Sequence, residues 1–434
     1  MTSSRKNYVV DTNVFLHDPE AILKFEGDRV TVPVTVLEEL EKMQKFRDEL
    51  GRNARITLRL LESLRKTSEG DFHSGLTLKN GSEVRIALQM KSDYPGLSLS
   101  IKENRILLTA YLLKEQGEAV IFVSKDLTQR VKAAAIGLEV EDYQKLKVSF
   151  EQMHRGIREL QVDKETVDRF LKDGAVQLPL PEGVVPGEYI HMIGENGTAT
   201  GKYHAKKGVV EAIPALPRDI WGIEPLNLEQ RCALDLLLRD DVHLVTLLGP
   251  AGTGKTMLAL ASGMRAVFDE NLYSRMVVTR PIMPLGRDIG YLPGTKEEKL
   301  HHWMQPIEDN LEFLCQATGN QPSDTLRWIL DSDKIEMEAV TYIRGRSLPK
   351  VYMIIDEAQN LTPHEIKTVI SRAGKGTKVV LTGDPTQIDN PYLDQDSNGL
   401  TYTVSRMKES PLFGHVFLER TERSRLAALA AELL

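Results

Sequence analysis

The chain has 434 residues, 41% of them hydrophobic and 27% charged, with a formal net charge of −7. That balance fits a folded protein of two or three domains and excludes a disordered or membrane-embedded chain. An acidic whole does not advertise nucleic-acid binding, so a polyanionic partner would need a local basic channel or metal ions. Two cysteines, Cys232 and Cys315, are too few for a disulfide framework. The start, MTSSRKNYVV, lacks the apolar core of a signal peptide, and no apolar run approaches a membrane span, so a cytoplasmic location is expected.

In chain order, "NYVVDTN" predicts a strand and "RVTVPVTVLEELEKMQKF" a strand feeding a helix. "LTLKNGSEVRIAL" carries Asn80-Gly81 between alternating runs, a hairpin signal taken as an insertion. "ENRILLTAYLLKEQG" predicts a helix closed by Gly117, "AVIFVSKD" a strand, and "LTQRVKAAAIG" a helix closed by Gly137. This succession is βαβ and implies a parallel sheet with helices on its faces.

Asp11 ends the first strand, Glu38 and Glu39 follow the second, Glu103 opens a helix, and Asp126 ends "AVIFVSKD". In a parallel sheet the strand ends share one edge, so these acids converge there. Carboxylates brought together repel one another unless a cation joins them, and an all-oxygen set suits Mg²⁺ or Mn²⁺. Taken singly, each acid has a plainer reading: Asp11 and Asp126 as caps, Glu103 as a helix-opening acid. "VVDTNVFL", "VTVLEELEK", "ENRIL" and "VSKDLTQRVKAAAIGL", in that order, resemble the PIN-domain nucleases over about 7–147. The resemblance implies a metal-dependent ribonuclease with Asp11, Glu39, Glu103 and Asp126 as catalytic metal ligands. Glu39 is preferred to Glu38 because it precedes Leu40, and Thr12, Asn13 and Ser124 would hydrogen-bond around the site. Glu103 stands where that family usually has Asp.

Residues 148–220 turn rich in Pro and Gly with short β-like runs, predicting a small β module or a linker with hairpins. A second α/β succession fills 221–434, with strands at "HLVTLLG", "SRMVVTR", "VYMIIDEA", "TKVVLTGD" and "HVFLER". "GPAGTGKT" follows the first of these and opens a helix, as a phosphate-binding loop requires. Gly249, Pro250, Ala251, Gly252, Thr253, Gly254 and Met257 are its candidate nucleotide contacts. Lys255 would reach the β- and γ-phosphates of ATP, and Thr256 would bind Mg²⁺. Asp356 and Glu357 end the third strand, Asp356 as a metal ligand and Glu357 to orient water. Gln387 sits where a γ-phosphate sensor belongs, and Arg420, Arg423 and Arg425 are arginine-finger candidates or a solvated face. Gln230 matches the adenine-reading glutamine of superfamily-1 helicases, or is an ordinary helix-surface residue.

"GPAGTGKT", "VVTRPIMPLGRDIGYLPG", "YIRGRSLPK", "IIDEAQN", "LTGDPTQID" and "TERSRLA" together resemble the PhoH family of P-loop ATPases. That resemblance implies a RecA-like core, ATP hydrolysis, association with RNA, and a homo-oligomeric ring, expected to be a hexamer. Arg344 and Arg346, or Arg423 and Arg425, would then reach a neighbour's nucleotide, and Arg280 and His301-His302-Trp303 are candidates for contacting nucleic acid, with an amphipathic helix that packs Trp303 inward as the favoured reading of "LHHWM". The expectation is an ATP-driven, helicase-like RNA-remodelling enzyme with an attached Mg²⁺- or Mn²⁺-dependent PIN ribonuclease acting on single strands. The alternatives are an ATPase whose PIN half is an inert RNA-binding or interaction module, or one that does not act on nucleic acid.

Overall fold

A computed structural model describes residues 5–25, 27–46, 49–67, 69–91, 94–143, 150–195, 197–281, 296–318, 322–343, 345–390 and 393–422. The chain divides into two compact units, Met1–Lys147 and Val148–Leu434.

The first unit is built on strands β1 (Asn7–Val10), β2 (Arg29–Pro33), β3 (Glu69–Asp71), β4 (Gly75–Thr77), β5 (Glu83–Ala87), β6 (Val120–Ser124) and β7 (Glu139–Asp142). They form one sheet in the order β3-β4-β5-β2-β1-β6-β7. β5, β2, β1, β6 and β7 run parallel, with β3 and β4 as an antiparallel extension. Helices α1 (Thr12–His17), α2 (Val34–Met43), α3 (Glu49–Thr67), α4 (Lys102–Glu115) and α5 (Leu127–Ala135) accompany the sheet. β1 and β6 are buried along their whole lengths, which is why both read as unbroken apolar runs. The Asn80-Gly81 turn forms, but its hairpin is no insertion. Leu76 and Val84 carry it into the core, and β5 continues the sheet beside β2. α3 is passed over by the reading above, although Ala54, Leu61 and the partly buried Leu58 and Leu64 recur at helical spacing.

The second unit begins with β8 (Ile157–Gln161), α6 (Lys164–Asp173), β9 (Ala175–Val176), β10 (Tyr189–Gly194), β11 (Gly197–His204) and β12 (Val209–Ala212). These strands form a five-stranded sheet, β8-β10-β11-β12-β9, against which α6 packs Val167 and Phe170. Then come α7 (Leu228–Leu238), β13 (Leu244–Leu248), α8 (Lys255–Met264), β14 (Arg275–Arg280), α9 (Lys296–Ala317) and α10 (Pro322–Asp331). β15 (Ile335–Ala339), β16 (Val351–Ile355), α11 (Pro363–Ile370), β17 (Lys378–Gly383), α12 (Gly399–Met407) and β18 (Phe413–Phe417) complete it. The six strands are all parallel, in the order β15-β14-β16-β17-β13-β18. All five strands read from the sequence are present. The sixth, β15, was missed because it is an edge strand with alternating Glu336 and Glu338, and Arg346 pairs with both.

Candidate functional site

β13 runs into the loop 249–254 and out into α8. Gly249 has φ +145, and a Cβ there would strike the Leu418 carbonyl, so only glycine lets the loop pass β18 this closely. Gly254, at φ +89, turns the chain into α8. Ala251, Gly252, Gly254, Lys255, Thr256 and Met257 line a cavity of about 830 Å³. Gly249 and Pro250 instead turn their carbonyls to Lys255, whose Nζ donates to both at 2.6 and 2.7 Å. The Thr253 hydroxyl braces the loop by donating to Pro250 O at 3.1 Å.

Strand order brings the other half of the site to this loop. β17 lies between β13 and β16, so Asp356, Glu357 and the end of β17 face the loop. The Thr256 hydroxyl donates to Asp356 Oδ1 at 2.8 Å, and the Thr382 hydroxyl donates to the same oxygen at 2.6 Å. Arg280 Nε stands 3.2 Å from Asp356 Oδ2. Asp384 is buried, and its Oδ2 has no hydrogen-bond partner. A threonine hydroxyl paired with a strand-end aspartate, with Asp384 lining the same cavity, suits a hydrated divalent cation, so these residues fit the Mg²⁺ that accompanies a nucleotide.

Glu357 also faces the cavity, with backbone φ +54. Its Oε1 accepts from Arg280 Nη2 at 3.3 Å and its Oε2 from Gln359 Nε2 at 2.5 Å. Gln359 is fully buried and also donates to the Gln387 carbonyl at 2.9 Å, tying the two strand ends together. Gln387 itself lines the cavity. Thr382 and Gln359 were missed by the sequence reading, although "LTGD" and "DEAQ" close adjacent strands.

Gln230 is 4% exposed, not a surface residue. It accepts from Leu226 N–H at 2.9 Å and donates to Thr253 O at 3.1 Å, bracing the loop from α7. Arg423 and Arg425 lie outside the described residues, as do Arg344 and the side chains of His301 and His302. Just upstream of Arg423, Glu422 N–H donates to Gly252 O at 3.0 Å, so the chain after β18 crosses the phosphate loop.

In the first unit, Asp11, Ser124 and Asp126 stand at the carboxyl ends of neighbouring strands β1 and β6. Asp11 is 4% exposed and accepts from Thr12 N–H at 2.7 Å, Asn13 Nδ2 at 2.8 Å and Ser124 Oγ at 2.7 Å. Burial pushes its carboxyl up to about 6, and the charges of Glu39 and Asp126 push the same way. Glu39 is raised too, by burial first and then by Glu103, against a hydrogen bond from the Thr12 hydroxyl. Asp126 caps α5, accepting from Thr128 and Gln129 N–H at 2.7 and 3.3 Å. Glu103 is exposed on the first turn of α4.

Asp11 and Asp126 therefore do cap helices, as the plainer reading has it. Repulsion nevertheless links all four acids, Asp126 to Asp11, Asp11 to Glu39 and Glu39 to Glu103. Among the described residues, no three acidic, histidine or cysteine side chains stand close enough to hold an ion as they are. The donor set is the all-carboxylate kind that hard divalent ions take, and Asp11 is the member most in need of one.

Two family models match the chain: PIN domain over residues 8–144 and PhoH-like protein over 222–433. Protein PhoH2 of Bacillus subtilis is 45% identical over 444 residues, covering 99% of this chain and 100% of that one. The chain belongs to the PhoH2 family. Protein PhoH2 of Mycolicibacterium smegmatis is 36% identical, covering 99% of this chain and 97% of its own. Protein PhoH2 of Thermobispora bispora is 34% identical, covering 99% and 96%. Among solved structures, Pif1 helicase from Candida albicans aligns at 18% identity and TM-score 0.27, over 48% of this chain and 43% of that one. So remote a likeness carries no weight. Membership accounts for the architecture, a PIN domain followed by a P-loop ATPase-like domain. Among the described residues no helix is long and apolar enough to cross a membrane.

Proposed function

We propose that the second unit hydrolyses ATP to remodel RNA and that the first cleaves single-stranded RNA with the help of divalent cations. The observation that carries the ATPase half is the network joining Thr256, Asp356 and Thr382 at the phosphate loop. Lys255 would leave the Gly249 and Pro250 carbonyls for the β- and γ-phosphates. Glu357 would orient a water against the γ-phosphorus. As the new oxygen–phosphorus bond forms, the bond to the β,γ-bridging oxygen breaks, and the water's proton passes to Glu357. Mg²⁺ bound by Thr256 and Asp356 would neutralise charge on the phosphates. Copies of the chain would assemble as a homo-oligomeric ring, a hexamer by resemblance to the family.

In the first unit, Asp11, Glu39, Glu103 and Asp126 would hold Mg²⁺ or Mn²⁺, which supplies Lewis acidity for phosphodiester cleavage. Asn13 and Ser124 would fix Asp11, and Thr12 would fix Glu39. A second reading has this half as an RNA-holding module without cleavage. It is favoured by the exposed Glu103 and by the absence of a closed three-ligand group among the described residues.

ATP turnover with and without single-stranded RNA tests the first half. Stimulation supports an RNA-directed ATPase, and a flat response overturns it. A labelled single strand with and without Mn²⁺ tests the second. Metal-dependent cutting that Asp11→Asn removes supports the nuclease, and intact RNA supports the holding module.

A further inference from the structure

Arg280 ends β14, where the sequence reading has it contacting nucleic acid. The structure gives the guanidinium other work. Its Nε faces Asp356 at 3.2 Å, its Nη2 donates to Glu357 Oε1 at 3.3 Å, and its Nη1 donates to the Trp303 carbonyl of α9 at 2.9 Å. β14 is the hydrogen-bonded neighbour of β16, so sheet register fixes this arginine against the acids.

Glu357 is held from both sides. Arg280 occupies one oxygen and Gln359 the other, and the residue sits in a left-handed conformation that a non-glycine residue adopts at a cost. These two donors fix the direction of the carboxylate, so only its remaining lone pairs can face a water, and an exchange of donors would re-aim them. The hold by Arg280 is also imperfect. Nε is buried and close to Asp356 without making an aligned hydrogen bond. A guanidinium that spends its fork this poorly is poised to exchange partners.

α9 is the element that can make the exchange. Its Trp303 carbonyl holds Arg280, and farther along the same helix Asn310, Phe313 and Ala317 line the nucleotide cavity. Ten residues from 303 to 313 span roughly 15 Å, on the scale of a bound nucleoside triphosphate. Between them Pro306 interrupts the helix ladder, a natural point of bending.

We infer that Arg280 is a positioning residue that restrains Glu357 until α9 shifts, so that hydrolysis waits on the occupancy of the cavity and of whatever α9 contacts. The inference rests on Glu357 as the water-orienting group of the proposed ATPase.

The test is steady-state ATP hydrolysis by the full chain, with and without single-stranded RNA, for wild type, Arg280→Ala, Arg280→Lys and Glu357→Gln. Arg280→Ala should raise the RNA-independent kcat about tenfold, equivalent to about 1.4 kcal/mol of barrier, while KM for ATP stays close to wild type. RNA stimulation should shrink by the same factor, and Arg280→Lys should fall between. A basal kcat that drops or does not change, or an effect confined to KM, overturns the restraint. A melting curve guards against misfolding of the alanine variant, and Arg280→Gln, which keeps a donor for Trp303, then supplies the same kcat reading. If Glu357→Gln hydrolyses ATP at the wild-type rate, the water-orienting assignment fails. If it is inactive while Arg280→Ala is slow, the restraint alone fails.

Discussion

The two candidate sites use acids in opposite ways. Around the phosphate loop, Asp356 meets two hydroxyls and a guanidinium, and Glu357 meets an arginine and a glutamine. At the strand edge of the first unit, Asp11 meets neutral donors only, and its nearest charged neighbours among the proposed ligands repel it. One site is balanced by the protein itself; the other stores repulsion that a cation would relieve. The difference teaches where each site is vulnerable: the first to loss of the hydroxyls and acids that would hold the ion and orient water, the second to loss of the ion.

The largest expected effect is on the balanced site. Asp356→Asn should cut ATP turnover by about 10²–10³, as removal of one preorganised charge does in other active sites. Phosphate release measures it, and a loss under about tenfold would break the picture of an assembled network. Ser124→Ala should lower metal-dependent RNA cleavage by about 10–100-fold, because a group orienting a ligand rather than the ligand is removed. Unchanged cleavage would show that Asp11 needs no such support.

The comparison sharpens with added metal. Mn²⁺ at about 100 times its Kd should stabilise a site that binds only the folded chain by about 2.7 kcal/mol. In wild type the first unit's thermal midpoint should therefore rise, and in Asp11→Asn it should not. Without metal, pH gives the same answer more quietly. Asp11 is raised in the fold, so its contribution is fully present below the unfolded carboxyl's ordinary value and is lost as pH rises through about 6. The stability of Asp11→Asn relative to wild type should improve over that interval, and a constant difference would contradict the burial of Asp11.

The smallest effect lies away from both sites. His415 is fully buried beside His154, its ring held well below the ordinary value by burial, and His154 is pushed down to about 4. Protons thus bind the unfolded chain first, and stability is lost as pH falls from about 6.5 toward 4. A Tm drop on the order of 5–10 °C follows from a shift of that size, and His154→Phe should lessen it without abolishing it, because His415 remains buried.

Much of this was legible in the chain. "GPAGTGKT" after a buried strand located the phosphate loop, and "IIDEAQ" its acidic partner, because both are continuous motifs on central strands. The acids at Asp11 and Asp126 were readable as neighbours, since parallel topology alone puts strand ends on one edge. Arg280 was assigned to nucleic acid, and its tie to Glu357 was invisible, because β14 and β16 are joined by register rather than by sequence proximity. Gln230 showed itself as a helix residue, but its burial against Thr253 depends on how α7 meets the loop. The edge strand β15 escaped notice because Glu336 and Glu338 break its apolar run, whereas the helix α3 was readable from the spacing of Ala54, Leu58, Leu61 and Leu64.

The separateness of the two sites is the central claim, and one crossed measurement tests it. ATP hydrolysis and cutting of an unstructured RNA strand are compared in wild type, Lys255→Ala and Asp11→Asn. Lys255→Ala should lose hydrolysis and keep cutting, and Asp11→Asn should lose cutting and keep hydrolysis. Loss of both activities from either single substitution would contradict it.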